Sequence, residues 1–366
     1  MMANQSAKRW IWMFAMLARS AWGADLREAE VIRWIEANGG DTKTNEAART
    51  NDVYLGFGWV TDNDLKRLRA LPQLSRLDLS HTYVSEAGIA FLRSFENLVD
   101  LNLFAAESIN DAAMRHVRGW TALRRLNLRS TDVSDTSMPY LATLSGLRSL
   151  DISCTWLTDD GLEYLPELTE LEELYLGGNK ITGGALQVLR LLPKLRSLNL
   201  KGSQRRNTGY WAVSITDLDM DVIGSLTRLE ELDLGQSSRV DSRIAGMKIS
   251  DHGVAKLKEL TRLRSLDLSG TRVTGAGLES LVPLEKLERL SLWSARGIDD
   301  TAAPRLAAMK SLAVLDLAQT AVTDRTLERL AGLGGLRHLF VSGTKVTGPG
   351  VEAFRRARPD CEISWK

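Results

Sequence analysis

The residues in this 366-residue chain that could do acid–base, nucleophilic or metal chemistry are few and scattered. Its four histidines, His81, His116, His252 and His338, share no ligand spacing and stand beside no nucleophile at a recurring offset, so neither a metal set nor a nucleophile–base pair is predicted. Asp217, Asp219 and Asp221 alternate as in a calcium loop, but Val222 stands where that loop needs Gly and Arg228 where it needs Glu. The run reads better as a helix start. The fragment GTKVTGPG lacks the Lys-Ser/Thr of a phosphate loop. Contact chemistry is richer. Residues 203–214 (SQRRNTGYWAVS) bring Arg205, Arg206, Tyr210 and Trp211, and residues 237–248 (SSRVDSRIAGMK) bring Arg239, Arg243 and Lys248. Trp, Tyr and Arg are the residues most enriched at binding hot spots. The expectation is a binding protein with no catalytic residue, cofactor or metal.

The elements that must position these residues come from a repeat. Residues 263–286, LRSLDLSGTRVTGAGLESLVPLEK, place apolar side chains at Leu263, Leu266 and Leu268, then at Val273, Leu278, Leu281 and Leu284. The spacing passes from strand-like to helix-like within 24 residues. Units of this kind begin at Leu74, Leu98, Leu123, Leu147, Leu171, Leu195, Leu229, Leu263, Leu287, Leu312 and Leu336, after a degenerate first unit carrying Val60, Leu65, Leu68 and Leu71. The period identifies a leucine-rich repeat and predicts an α/β solenoid, with parallel strands on the concave face and short helices outside. One unit could not fold alone. Seven buried apolar residues contribute roughly 10–20 kcal/mol, whereas ordering 24 backbones costs roughly 24–48 kcal/mol. Stacked neighbours must supply the difference.

Ser or Thr followed by an acid, as in Ser134-Asp135, Thr158-Asp159 and Thr323-Asp324, precedes the helical part of many units and reads as a helix cap. The units starting at Leu195 and Leu229 run to 34 residues because each carries the extra segment described above, which places the two segments side by side on one rim. Such insertions are often a binding face, and the alternative is a pair of loops packed on each other. A second candidate surface lies on the inner sheet, where Trp293, Val314, Ala318, His338 and Phe340 are expected to form an exposed apolar patch. The same face carries Asp78, Asp151, Asp233, Asp267 and Asp316 beside Arg76, Arg125 and Arg289. Charges of both signs that close can simply pair with one another.

Lys and Arg number 47 against 46 Asp and Glu, so no overall field draws the chain to nucleic acid or an acidic membrane. Lys8 and Arg9, the apolar run Trp10–Ala18 and the small residues up to Ala24 have the layout of a signal peptide over residues 1–24, too short for stable membrane insertion. Residues 25–52 read as a capping helix and a polar linker, 53–350 as repeats and 351–366 as a C-terminal cap using Phe354, Cys361, Ile363 and Trp365. Cys154 and Cys361 fall in distant units, beyond the reach of a disulfide.

The pattern in LDISCTWLTDDGLEYLPEL and LDLAQTAVTDRTLERLAGL, with the N-terminal VIRWIEANGG and the closing GTKVTGPGVEAFRRARPDCEI, resembles exported leucine-rich-repeat proteins of environmental bacteria with large genomes. The resemblance implies a protein or peptide ligand, with a glycan as the alternative, and a periplasmic, cell-surface or secreted location. A structural cell-surface scaffold is the competing reading. The repeat is also similar to that of F-box substrate receptors of ubiquitin ligases, but residues 25–52 leave no room for an F-box. Deleting 204–213 and 238–247 is expected to leave the circular dichroism spectrum unchanged and to abolish capture of a partner from envelope extract. Undiminished capture would make the segments packing loops.

Overall fold

A computed structural model describes residues 27–46, 49–202, 213–236 and 247–366. Among these, fourteen strands form one sheet whose order follows the chain. The sheet opens with β1 (Asp41–Thr44) and β2 (Thr50–Tyr54), an antiparallel pair. From β2 onward every pairing is parallel and unshifted, through β3 (Arg76–Asp78), β4 (Asp100–Asn102) and β5 (Arg125–Asn127) to β14 (Glu362–Ser364). Each strand is three residues long from β3 onward, and its middle residue is buried, as at Leu77, Leu150, Leu266 and Leu339. The outer two residues of each strand face the concave side. Short α-helices and 3₁₀ helices complete the units on the other side, and their leucines close one continuous core.

Two strands lie beyond the twelve that the repeat predicts. The stretch from Asp41 to Asp52, polar enough to read as a linker, instead forms the β1–β2 hairpin. Its polarity suits a sheet edge, where strand β1 is largely exposed. At the far end β14 extends the ladder past the last helix. Helix α1 (27–37) buries Val31 and Ile35 over the first unit. Glu28 in this helix faces the hairpin. It accepts from the Thr50 N–H at 2.8 Å and pairs with Arg49, tying the helix to the hairpin. The C-terminal end is sealed by Phe354, Cys361 and Ile363, with Trp365 donating Nε1–H to the Val346 carbonyl at 3.1 Å. Arg358, which the sequence reading passed over, is buried there and donates to the carbonyls of Leu333 and Leu336, capping the last unit. Both cysteines are buried, and neither is in a disulfide.

The Ser/Thr-acid pairs do more than cap their own turns. Asp135 accepts from the Thr158 N–H at 2.8 Å and the Thr158 hydroxyl at 2.6 Å, one unit further along. The same two-point clasp joins Asp62 to Ser85, Asp111 to Ser134, Asp159 to Thr182, Asp217 to Ser250, Asp251 to Thr274, Asp300 to Thr323 and Asp324 to Thr347. The carboxylate fills the space beside the third residue after the clasped hydroxyl, so that residue is often glycine. A Cβ on Gly161 would sit 2.4 Å from Asp135 Oδ1, and one on Gly253 would sit 2.4 Å from Asp217 Oδ1. Where it is not glycine it can be a hydroxyl that donates a third bond, as Ser137 does to Asp111 and Thr326 to Asp300.

The clasp is missing where no aspartate follows the hydroxyl. Gly183 and Gly275 follow Thr182 and Thr274, and Glu86 pairs with Arg115 and His116 instead. After Gly183 the next unit caps itself: Asp219 accepts from its own Thr216 N–H and hydroxyl at 2.8 and 2.9 Å, in the manner of Asp64 on Thr61 in the first unit.

Hydrogen bonds to a charged group contribute about 1.5–3 kcal/mol each. Asp135→Ala is therefore expected to destabilise the protein by about 2–3 kcal/mol in urea unfolding. Gly161→Ser, whose hydroxyl can donate to Asp135, should be tolerated better than Gly161→Val; equal losses would refute this account of the glycine.

Candidate functional site

The concave face is built by two side-chain columns, the first and third residues of each strand. In the third column Asp78, Asn102, Asn127, Asp151, Asn199, Asp233, Asp267 and Asp316 each accept with one oxygen from the backbone N–H two residues on. This local turn is the structural reason for the acids read in the sequence as a column. Three residues beyond this column the backbone takes a left-handed conformation in unit after unit, whether or not the column residue accepts: Phe57, His81, Ala105, Ser130, Cys154, Gly178, Gly270, Ser294, Gln319 and Gly343 all have φ between 54° and 74°. The chain thus leaves the sheet by one repeated turn.

Two grooves of similar size share this face, with Tyr175 lining both. The N-terminal one, about 390 Å³, runs from Tyr54 past Arg76, Asp100 and Arg125 to Asp151. Its arginines are matched, Arg125 to Asp100 at 2.7 Å and Arg76 to Asp52 at 3.6 Å. The C-terminal one, about 400 Å³, holds Glu231, Asp233, Asp267 and Asp316 with Val314 and Phe340. Lys201 reaches Asp267 at 3.1 Å and Asp233 at 3.6 Å. Burial and then the charge of Asp267 hold the Asp233 carboxyl above its usual range, against the pull of Lys201. Burial lowers the Lys201 ammonium, but the two carboxylates outweigh it and its pKa is raised.

The sequence-predicted contacts divide accordingly. Val314 and Phe340 meet on this groove, and Phe340 is 38% exposed. His338 heads its strand and pairs with Glu362 at 3.2 Å, and Trp293 is half-buried just past the sheet. Ala318 is buried, contrary to the exposed patch expected of it, because the turn after Asp316 folds it beneath the face. Lys248 is exposed and its backbone bridges to Thr216. Arg205, Arg206, Tyr210, Trp211, Arg239 and Arg243 lie outside the described residues. The chemistry-bearing acids are put to structural use: Asp217 clasps Ser250, Asp219 caps Thr216, and Asp221 pairs with Lys256 at 2.9 Å.

Sequence reading missed an aromatic ridge on the turns that follow strands β2, β3 and β4, whose residues line the N-terminal groove. Phe57 stacks on His81 with ring centroids 4.2 Å apart, His81 meets Phe104 edge-on at 4.8 Å, and the Arg129 guanidinium lies 5.7 Å over Phe104. Outside this line Trp59 stacks on Tyr83 at 5.4 Å. Phe57, Trp59 and Tyr83 are 78%, 81% and 58% exposed. Aligning the units would have revealed it, since Phe57 and His81, like Trp59 and Tyr83, occupy equivalent places in successive units.

Models described as leucine-rich repeat match residues 145–204 and, separately, 260–282. No curated protein matches the sequence. Among solved structures, an internalin from Listeria monocytogenes is similar at 20% identity over 86% of both chains, with a TM-score of 0.59. A leucine-rich-repeat protein of Leptospira interrogans is similar at 17% identity over 86% of this chain and 89% of that one, with a TM-score of 0.48. Among the described residues no helix is long and apolar enough to cross a membrane.

The Lys201 contacts carry a pH dependence. A carboxyl raised in the folded state weakens stability as pH climbs through its titration. Lys201→Met removes the cation that opposes this rise, so its loss in Tm relative to the parent is expected to be larger near pH 7 than near pH 4, where less of the Asp233 carboxyl is charged. An equal loss at both would mean Lys201 acts through packing alone. With the repeat matched by model, register and superposition, the chain is a leucine-rich-repeat solenoid of the α/β class.

Proposed function

We propose that this protein is a non-enzymatic leucine-rich-repeat module that binds another protein through the C-terminal half of its concave face. The observation that carries this reading is the groove in which Val314 and Phe340 stand on a sheet face beside Glu231, Asp233, Asp267 and Asp316. A large apolar ring held open to solvent on a rigid sheet is an anchor for a partner. The surrounding carboxylates favour a partner surface that offers basic groups around an apolar one. A concave sheet of this length can supply the roughly 1,000 Å² that a specific interface needs.

The basic residues and apolar run before Ala24 support a bacterial protein that acts outside the cytoplasm, in the periplasm, at the cell surface or secreted. The paired segments at 203–214 and 237–248 belong to the same half of the chain, and Arg205, Arg206, Tyr210, Trp211, Arg239, Arg243 and Lys248 are proposed as contacts flanking the groove. His338 and Trp293 extend that surface.

A photo-crosslinking side chain placed at Phe340 or Val314 is expected to form one discrete adduct in an envelope fraction, and one placed at Leu191, exposed on the helical side, none. Once the adduct is identified, Phe340→Ala should weaken its binding about tenfold or more, the effect of losing a hot-spot contact. Equal labelling from Leu191 and Phe340 would defeat the proposal.

A further inference from the structure

The aromatic ridge and the groove on the neighbouring strands belong to the N-terminal half, away from the surface assigned above, and among the described residues no side chain covers the rings of Phe57 and Trp59. The rings of Phe57 and Trp59 each stack on the following unit, to His81 and Tyr83, and are nevertheless 78% and 81% exposed. Two flat apolar rings thus stand open in one turn of the chain. They are held in place by a backbone that fixes Phe57 at φ 64° and by the stacking itself. Exposing such surface costs about 25 cal/mol per Å² until something covers it.

The groove on those strands says what kind of molecule fits. Its arginines are already matched to Asp52 and Asp100, so it offers no unpaired cation to an anion. Asn102 and Asn127 each use Oδ1 to accept from their own turn, which fixes the amide plane and leaves the NH₂ group free to donate into the groove they line. On the flanking strands Asp78 and Asp151 use Oδ1 in the same way, and although the Ser153 hydroxyl also bonds Asp151, both carboxylates keep lone pairs to accept. Across four adjacent strands the third column therefore reads acceptor, donor, donor, acceptor at a spacing of about 4.8 Å.

One ligand group can serve every place in that column: a hydroxyl, which donates to a carboxylate and accepts from an amide. An extended peptide advances about 3.3 Å per residue with amides that alternate in direction, and falls out of step with the strands. Flat apolar faces bearing hydroxyls at their edges are the surface of a pyranose ring, whose C–H face packs on an aromatic ring.

We propose that Phe57, Trp59 and Tyr83 form a stacking rim, and Asn102, Asn127 and Asp151 a hydrogen-bonding floor, for a neutral oligosaccharide lying across the N-terminal units. The site is independent of the protein-binding surface around Phe340. The full chain is titrated calorimetrically with cellohexaose, xylohexaose, mannohexaose, chitohexaose and maltohexaose, and with a polyproline peptide as the competing occupant. At least one sugar is expected to bind with a Kd of about 1 mM or tighter, with little change between low and high salt because no ion pair forms with the ligand. Trp59→Ala and Asn127→Ala should each weaken binding about tenfold or more, Trp59→Phe much less, and Phe340→Ala not at all. Circular dichroism verifies that the variants fold. Failure of all five sugars to bind, binding indifferent to Trp59 and Asn127, or a preference for polyproline that Trp59→Ala removes would each overturn the assignment.

Discussion

Every unit of this solenoid begins its helical part with backbone N–H groups that have no partner inside so short a turn. At eight junctions the carboxylate of the preceding unit meets one of them, and the same acid takes the side-chain hydroxyl beside it. Much else follows from this contact. It fixes the separation of neighbouring units on the helical side, as the parallel ladder does on the sheet side, and so holds each leucine of one unit against the next. It also decides where glycine must stand, because the carboxylate occupies the space of a Cβ.

On the opposite side the ladder imposes a different economy of side chains. Only two residues per strand face the concavity, and the third must in most units also pin the turn that follows. Its remaining oxygen or amide is what a ligand can meet. The two halves of the face spend this position differently. The N-terminal half sets two asparagines between two acids and matches its arginines. The C-terminal half places Asp233, Asp267 and Asp316 in one groove with Phe340. A single scaffold thus carries a neutral surface and an acidic one without any change in backbone.

Period, register and core were legible in the sequence because leucine spacing is a direct consequence of burial, and Leu77 through Leu339 fall where the pattern puts them. Polar signals were ambiguous. Thr158-Asp159 looks like a local cap whether the acid serves its own turn or the next unit, since 23 residues of chain separate Asp159 from Thr182 and only the stacking brings them together. The β1–β2 hairpin was hidden because an exposed edge strand needs no apolar alternation. Val314 and Phe340 were found by counting strand positions. Ala318 was misplaced because alternation was continued past the strand's end, where the chain had already turned. The Phe57–Trp59 ridge went unseen because a degenerate first unit disguises its alignment with His81 and Tyr83.

The turn at Thr216 is capped from within by Asp219, as Thr61 is by Asp64 in the first of the described units. In its hydrogen bonding the middle of the chain therefore contains a second beginning. Of the three junctions without a clasp this is the one that enters the first long unit, and a one-dimensional array opens most readily where the coupling between neighbours is weakest. The block from Thr216 onward owns its own starting cap and its own terminal seal at Arg358, so hydrogen exchange is expected to show the two blocks opening with different free energies along a line between Gly183 and Thr216. The protein would then behave as two arrays sharing a sheet, each able to yield to its ligand without disturbing the other.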